Sequence, residues 1–383
     1  MQMQVRRRST AVIFIGIVMI LGSLAGGLGR VDPVGAAPAA PQVQPTGVNP
    51  EPSASGATCH DFFFPVTISP EDREYHNVYG RLCGDHPVAG GTLLVLLHGG
   101  SYNSTFWDWP VDPDHYSFVK AAAGAGLDTL NLDRLGYGHS DHPFSGRVDF
   151  SSNAWVAHQV AQYVRGGAIG TFGKLVLIGH SMGGFTAVMA AGTYPNDFDG
   201  VVIEDASHNI NWVTVSQVAG DFYPIELDPK FKDRGYPPGF TTTRPGTRGG
   251  FLYDQAGSDQ AIRDADERYK DTVNAGEWGT LAFDAANPSP ADRITAPVLM
   301  VFGDEDNFYC TARCSDPGSV AQLEQRYYPR AACYELYIQP DAGHSTGLHR
   351  SAPQLFSIVI NWTRRHVGNG PGAAPTAPCR ARS

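Results

Sequence analysis

The chain reads as an α/β fold: a mostly parallel sheet flanked by helices, with one inserted segment forming a cap. Three observations predict it. Short apolar-rich runs recur at 92–97, 127–132, 174–179, 200–204, 297–302 and 333–338. Such runs suit strands covered on both faces. Helical stretches lie between them, at 114–125, at 151–165, after 181 and at 351–366. Strands alternating with helices imply a parallel sheet wound by right-handed crossovers. Residues 207–291 break the rhythm, being aromatic, Pro/Gly-rich and polar by turns.

The N-terminus carries Arg6-Arg7-Arg8, then an uncharged apolar run from Ala11 to Gly29, then small residues at Val34-Gly35-Ala36. This is the layout of a signal peptide, placed at 1–36. The run could also serve as an uncleaved membrane anchor. Its Gly-rich end and the polar tail after it favour cleavage. The expectation is a secreted protein with no stable membrane partner after cleavage, anchoring being the alternative. Residues 37–58, rich in Pro, Ala, Ser and Gly, read as a flexible linker. The core then spans 59–206 and 292–367 around the cap at 207–291, and 368–383 form a loose tail. The net charge of −10 disfavours a nucleic-acid partner.

Six cysteines in an exported chain predict disulfides. Cys59 and Cys83 bracket an antiparallel pair of strands at 61–68 and 75–82, so they pair first. Cys310, Cys314, Cys333 and Cys379 form two more, with the pairing open. No metal site is expected, because no second close pair accompanies Cys310 and Cys314.

In open sheets of this kind, chemistry gathers at the carboxyl ends of the strands. The first parallel strand ends in His98-Gly99-Gly100 and the next in Asp133-Arg134-Leu135-Gly136-Tyr137-Gly138-His139-Ser140. The third runs into Gly179-His180-Ser181-Met182-Gly183, the G-x-S-x-G nucleophile elbow. A serine hydroxyl needs a base. His344, in a Gly-containing loop beyond the last strand, is placed to supply it. The base needs a carboxylate. Asp306, three residues past Gly303, is favoured. Asp205 is the rival, and Asp304 sits where it would brace the loop. An oxyanion hole needs two aimed N–H groups. Met182 follows the nucleophile, and Gly100 lies in the loop beside the elbow.

Together these motifs resemble the α/β-hydrolase superfamily, in its serine-hydrolase branch, over about residues 60–367. The resemblance implies an α/β-hydrolase fold, acyl transfer without a cofactor, and a structural loop at 133–140. Serine at the elbow is unlike the dehalogenase and epoxide-hydrolase branches, which carry Asp there. The expected activity is that of an exported esterase- or lipase-like hydrolase of carboxylic esters or lactones. Three alternatives stand beside it: an aminopeptidase or amidase, a cofactor-free perhydrolase or C–C hydrolase, and a catalytically silent binding module. The amidase needs a cap carboxylate for a substrate amine, with Glu226, Asp228, Asp254, Asp259 and Asp264 as candidates. Aromatic residues near the cleft, among them Tyr102, Trp107 and Trp212, suggest a pocket for a small, apolar, ester-type substrate.

Overall fold

The structure is a computed structural model and describes residues 41–45, 53–84, 90–287, 289–310, 314–369 and 375–376. The signal segment 1–36, Cys379 and much of the linker and tail lie outside the described residues.

The elements run in order as β1 (Gln44–Pro45), β2 (Cys59–Val66), β3 (His76–Cys83), β4 (Gly91–Leu97), α1 (Pro113–Tyr116), α2 (Phe118–Gly124), β5 (Asp128–Leu132), α3 (Phe150–Arg165), β6 (Phe172–His180), α4 (Met182–Thr193) and β7 (Gly200–Glu204). After them come α5 (Trp212–Ala219), β8 (Phe222–Pro224), β9 (Thr241–Thr243), α6 (Gln260–Tyr269), α7 (Ala275–Ala286), β10 (Val298–Gly303), α8 (Pro317–Gln325), β11 (Tyr334–Gln339) and α9 (Ala352–His366).

Among the described residues the main sheet has nine strands in the order β1-β2-β3-β5-β4-β6-β7-β10-β11. The pairings β1–β2, β2–β3 and β3–β5 are antiparallel, and the remainder are parallel. Successive side chains of a strand point to opposite faces. Leu93, Val95 and Leu97 of β4 therefore join the apolar layer under α3 and α4, while Leu94 and Leu96 join the layer under α2 and α9. The central strands β4, β7 and β10 are buried along their whole length, which is why each reads as an apolar run, whereas the edge strand β11 is only half-buried. α3 opens with a capping box in which Asp149 accepts from the Ser152 N–H and Ser152 accepts from Asp149 N–H, satisfying two orphan donors.

Four expectations are refined. The helix expected at 114–125 is two helices. Ser117 leaves the helical region at φ −95°, ψ 109° and its Oγ accepts from the Lys120 N–H, capping α2. It also donates to Asp108 at 2.7 Å. The segment read as a linker is partly docked: Gln44 and Pro45 pair with Phe63 and Phe62, and Ser53 donates to Asp108 at 2.7 Å. Cys59 and Cys83 are directly opposed in the β2–β3 register and bonded, with Cα atoms 4.2 Å apart. Cys310 pairs with Cys314, and Cys333 is also disulfide-bonded. Finally, residues 207–291 do not stand apart from the core. Val273, Leu281 and Ala285 enter one apolar layer, and Leu252, Ile262 and Ala265 enter the other.

Candidate active site

Ser181 sits between β6 and α4 at φ 52°, ψ −120°, a region costly for a residue with a Cβ, by about 1–3 kcal/mol. The surroundings hold it there. Its N–H donates to the Glu204 carbonyl at 2.8 Å and its carbonyl accepts from Phe185 at 3.1 Å. A Cβ at Gly179 would overlap the Gly183 carbonyl, and one at Gly183 would overlap the Leu97 carbonyl. Strand, turn and helix pass too close for side chains at both positions.

The structure brings Ser181, His344 and Asp306 together from three strand ends. His344 Nε2 lies 2.8 Å from Ser181 Oγ, and His344 Nδ1 lies 2.9 Å from Asp306 Oδ2. A carboxylate only accepts, so Nδ1 carries the proton and Nε2 is left to accept from the serine hydroxyl. Asp306 is fully buried and its other oxygen accepts from the Phe308 N–H at 2.8 Å. The line hydroxyl–imidazole–carboxylate can take up the hydroxyl proton and stabilise the resulting imidazolium.

The rival acids are used elsewhere. Asp205 Oδ1 accepts from Gly303 N–H at 3.1 Å and Oδ2 from Thr346 Oγ at 2.7 Å. Burial, and then the neighbouring Asp306 charge, push its carboxyl well above the usual range. Asp304 braces the next loop by accepting from Ala342 N–H at 3.1 Å. Among the described residues, Asp205, Asp306 and His344 are the group whose ligand atoms lie within 4.8 Å of one another. Both ring nitrogens of His344 are already engaged, which leaves none for an ion.

Two histidines that the sequence reading passed over hold the His344 loop. His180 Nε2 donates to the His344 carbonyl at 2.8 Å, and its ring stacks on Phe106 at 4.4 Å. His349 Nε2 accepts from Gly343 and Asp254 N–H groups at 3.0 Å each, and its Nδ1 donates to the Ser345 carbonyl. Burial drives the His180 ring well below the ordinary histidine range and His349 down to about 4. Both are neutral braces at pH 7. His180 occupies a variable position of the elbow motif, and no local pattern marks its role.

Gly100 and Met182 face each other across the elbow, since a Cβ on Gly100 would run into the Met182 thioether. Among the described residues neither N–H has a protein acceptor. His98, at the start of this loop, is pushed down to about 3 by burial and then by the Arg134 charge. Its Nδ1 donates to Gly99 carbonyl, and its Nε2 accepts from Arg134 N–H at 3.0 Å. Arg134 is buried and pairs through Nη1 with Glu277 of α7, which also accepts from Tyr137 OH and, at 3.0 Å, from Asn274. The loop after β5 and helix α7 are thus joined by a buried ion pair.

Ser181 and His344 open into a pocket enclosing about 630 Å³, part of it open to solvent. Its walls are Phe222, Phe251, Trp278 and Leu281 from 207–291, Val215 and Val218 of α5, and Phe308 and Tyr309 from the acid loop. Tyr102 lines it as expected. Trp107 does not: it is buried in the core against Phe106 and Phe118. Trp212 does not either, being 43% exposed on α5. On that helix Val215 and Val218 line the pocket and Trp212 does not. Among the described residues, no carboxylate lines the pocket. Asp228 pairs with Lys270, Asp259 with Arg350, and Asp254 closes its own turn onto Gly257.

A mostly parallel sheet flanked by helices on both faces is the fold of the α/β hydrolases. The profile of the alpha/beta hydrolase family matches residues 94–357, more than half of the chain, and the chain belongs to that family. It is 26% identical over 143 residues to uncharacterised proteins of Mycobacterium bovis and Mycobacterium tuberculosis. The match covers 36% of this chain and only 36% of the length of those relatives. Among solved structures, the chain resembles an esterase from Exiguobacterium antarcticum at TM-score 0.54 and 17% identity, covering 76% of this chain and 96% of that one. It also resembles a bromoperoxidase from Bacillus anthracis at TM-score 0.52 and 16% identity, covering 79% and 99%. At such identities the likeness is one of fold.

Among the described residues, no helix is long and apolar enough to cross a membrane.

Proposed function

We propose that the protein is an exported serine hydrolase of carboxylic esters or lactones with an apolar acyl or ring-bearing portion. One observation carries the reading: the Ser181–His344–Asp306 line opens into an apolar pocket in which, among the described residues, no carboxylate is found. In this reading His344 Nε2 takes the Ser181 proton as Oγ attacks the ester carbonyl. The carbonyl oxygen becomes an oxyanion held by the Gly100 and Met182 N–H groups. His344 then gives its proton to the leaving alkoxide, the C–O bond breaks, and an acyl-enzyme remains. Water repeats the cycle, releases the acid and restores Ser181 Oγ–H. Asp306 keeps the imidazole in the productive tautomer throughout. That no described residue lining the pocket is a carboxylate weighs against an aminopeptidase, because a bound amine would lack a counter-charge from them. Export is supported by the signal-peptide layout of 1–36 and by the disulfides.

The test is labelling of the folded protein with a fluorophosphonate, and turnover of a panel of acyl esters, lactones and aminoacyl amides, with Ser181→Ala as blank. Labelling and ester turnover lost together in Ser181→Ala are the expected result. A folded protein that is not labelled, or that turns over only the amides, overturns the proposal.

A further inference from the structure

Ser101, immediately after Gly100, is held by the cap segment through every polar group it has. Its N–H donates to the Thr272 carbonyl at 3.1 Å and its carbonyl accepts from Asp271 N–H at 2.8 Å. Its Oγ accepts from Arg248 Nη1 at 2.7 Å. Ser101 is 1% exposed and sits at φ 55°, a left-handed conformation that a residue with a Cβ keeps only where neighbours over-determine it.

Arg248 is itself fixed. Its Nε and Nη2 form a two-point fork with Asp266 of α6 at 2.9 and 2.8 Å, and its guanidinium lies 4.5 Å from the Tyr102 ring centre. Such forks add geometric specificity that a lysine cannot supply. Tyr102 continues the chain of contacts: its hydroxyl lies 2.7 Å from Ser345 Oγ, next to His344. One buried unit therefore spans the cap, the Gly100 loop and the His344 loop.

We infer that Arg248 is a positioning residue for the hydrolysis proposed above. By pinning Ser101 against the cap, it fixes the Gly100–Ser101 peptide, and with it one end of the Gly100 torsions through which the Gly100 N–H, in the preceding peptide, could swing away from the developing oxyanion. The inference rests on the proposed roles of Gly100 and Met182. Donors in such a hole must meet the oxyanion within a narrow range of distance, and loss of one donor costs about 10²–10³ in kcat. A misaimed donor should cost part of that.

The experiment compares wild type with Arg248→Gln/Asp266→Asn, a neutral pair that leaves no unpaired buried charge, and with Ser101→Ala, which removes only the hydroxyl. Each is assayed for kcat and KM on a p-nitrophenyl acyl ester. Each is also assayed for affinity toward an aryl trifluoromethyl ketone, whose Ser181 adduct carries an oxyanion. Melting temperature checks the fold. The double variant should lose about 10–100-fold in kcat and the same factor in ketone affinity, with KM within about twofold. Ser101→Ala should lose about 3–10-fold in both and serves alone if the double variant does not fold. Folded variants with unchanged kcat, or with kcat lowered and ketone affinity intact, overturn the inference while leaving the hydrolase reading standing. A wild type that neither turns over ester nor binds the ketone overturns that reading and this inference with it.

Discussion

The imidazole of His180 donates through Nε2 to the main-chain carbonyl of His344 at 2.8 Å, tying the residue before the elbow serine to the residue that faces it. Among the described residues the Nδ1 of the same ring is buried without a hydrogen-bond partner, which suits a neutral ring. His180→Ala should remove this tether and leave a cavity beside Phe106. Expected is a loss of about 2–4 kcal/mol in urea unfolding and a fall in kcat of about tenfold or more. A variant as active and as stable as wild type would show the tether to be idle.

Asp205 and Asp306 lie side by side, yet only Asp306 reaches His344. Asp205 makes its hydrogen bonds to the Gly303 N–H and the Thr346 hydroxyl rather than to His344. Asp205→Asn should keep kcat within about fivefold, whereas Asp306→Asn should lower it about 10⁴-fold, the scale known for loss of the orienting acid in a triad. Steady-state kinetics at pH 7.5 decide it, and equal losses would reverse the assignment.

Glu204, at the end of β7, is buried, and burial alone pushes its carboxyl up to about 8. Between the unfolded value near 4.5 and about 8, the folded state holds a proton that the unfolded state has lost. Stability from this group therefore falls as pH rises through that window, by about 1.4 kcal/mol per pH unit. Glu204→Gln should gain stability relative to wild type at pH 8 more than at pH 4.5. Urea midpoints of both proteins at the two pH values measure the difference, and parallel shifts would refute it.

Arg134 and Glu277 pair in a site that excludes water, joining the loop after β5 to α7. Removing one partner strands the other charge. Glu277→Ala should cost about 3–5 kcal/mol, while the joint change Arg134→Met/Glu277→Leu should recover most of it. Denaturant unfolding of both variants is the check, and equal destabilisation would mean that the surrounding hydrogen bonds matter more than the charge.

Among the described residues the pocket walls are largely apolar and include no Lys or Arg to serve as counter-charge. Carrying an anionic acyl group into it strands a carboxylate, so a hemisuccinate ester should turn over about 100-fold less well in kcat/KM than the matching butyrate ester. Trp278→Ala should raise KM for the neutral ester by about tenfold. Comparable rates for the two esters would indicate a different acyl site.

The sequence by itself determined the architecture. Apolar runs buried on both faces, helices between them and glycines that admit a tight elbow are all features of a few neighbouring residues, and so are legible locally. The positions of Ser181, Asp306 and His344 at strand ends follow from the same local reading, because a parallel sheet gathers its carboxyl ends. Tertiary structure decided the rest. Trp107 and Trp212 are aromatic like Phe222 and Trp278, but which ring faces the pocket depends on how each helix and loop is rotated against its neighbours. Residues 207–291 read as an inserted cap because their polar and aromatic residues break the strand–helix rhythm. In the fold they supply Arg248, Asp266 and Glu277 to buried networks with partners more than 100 positions away. Contacts of that range are set by packing and by the need to pair every buried charge, and no stretch of chain records them alone.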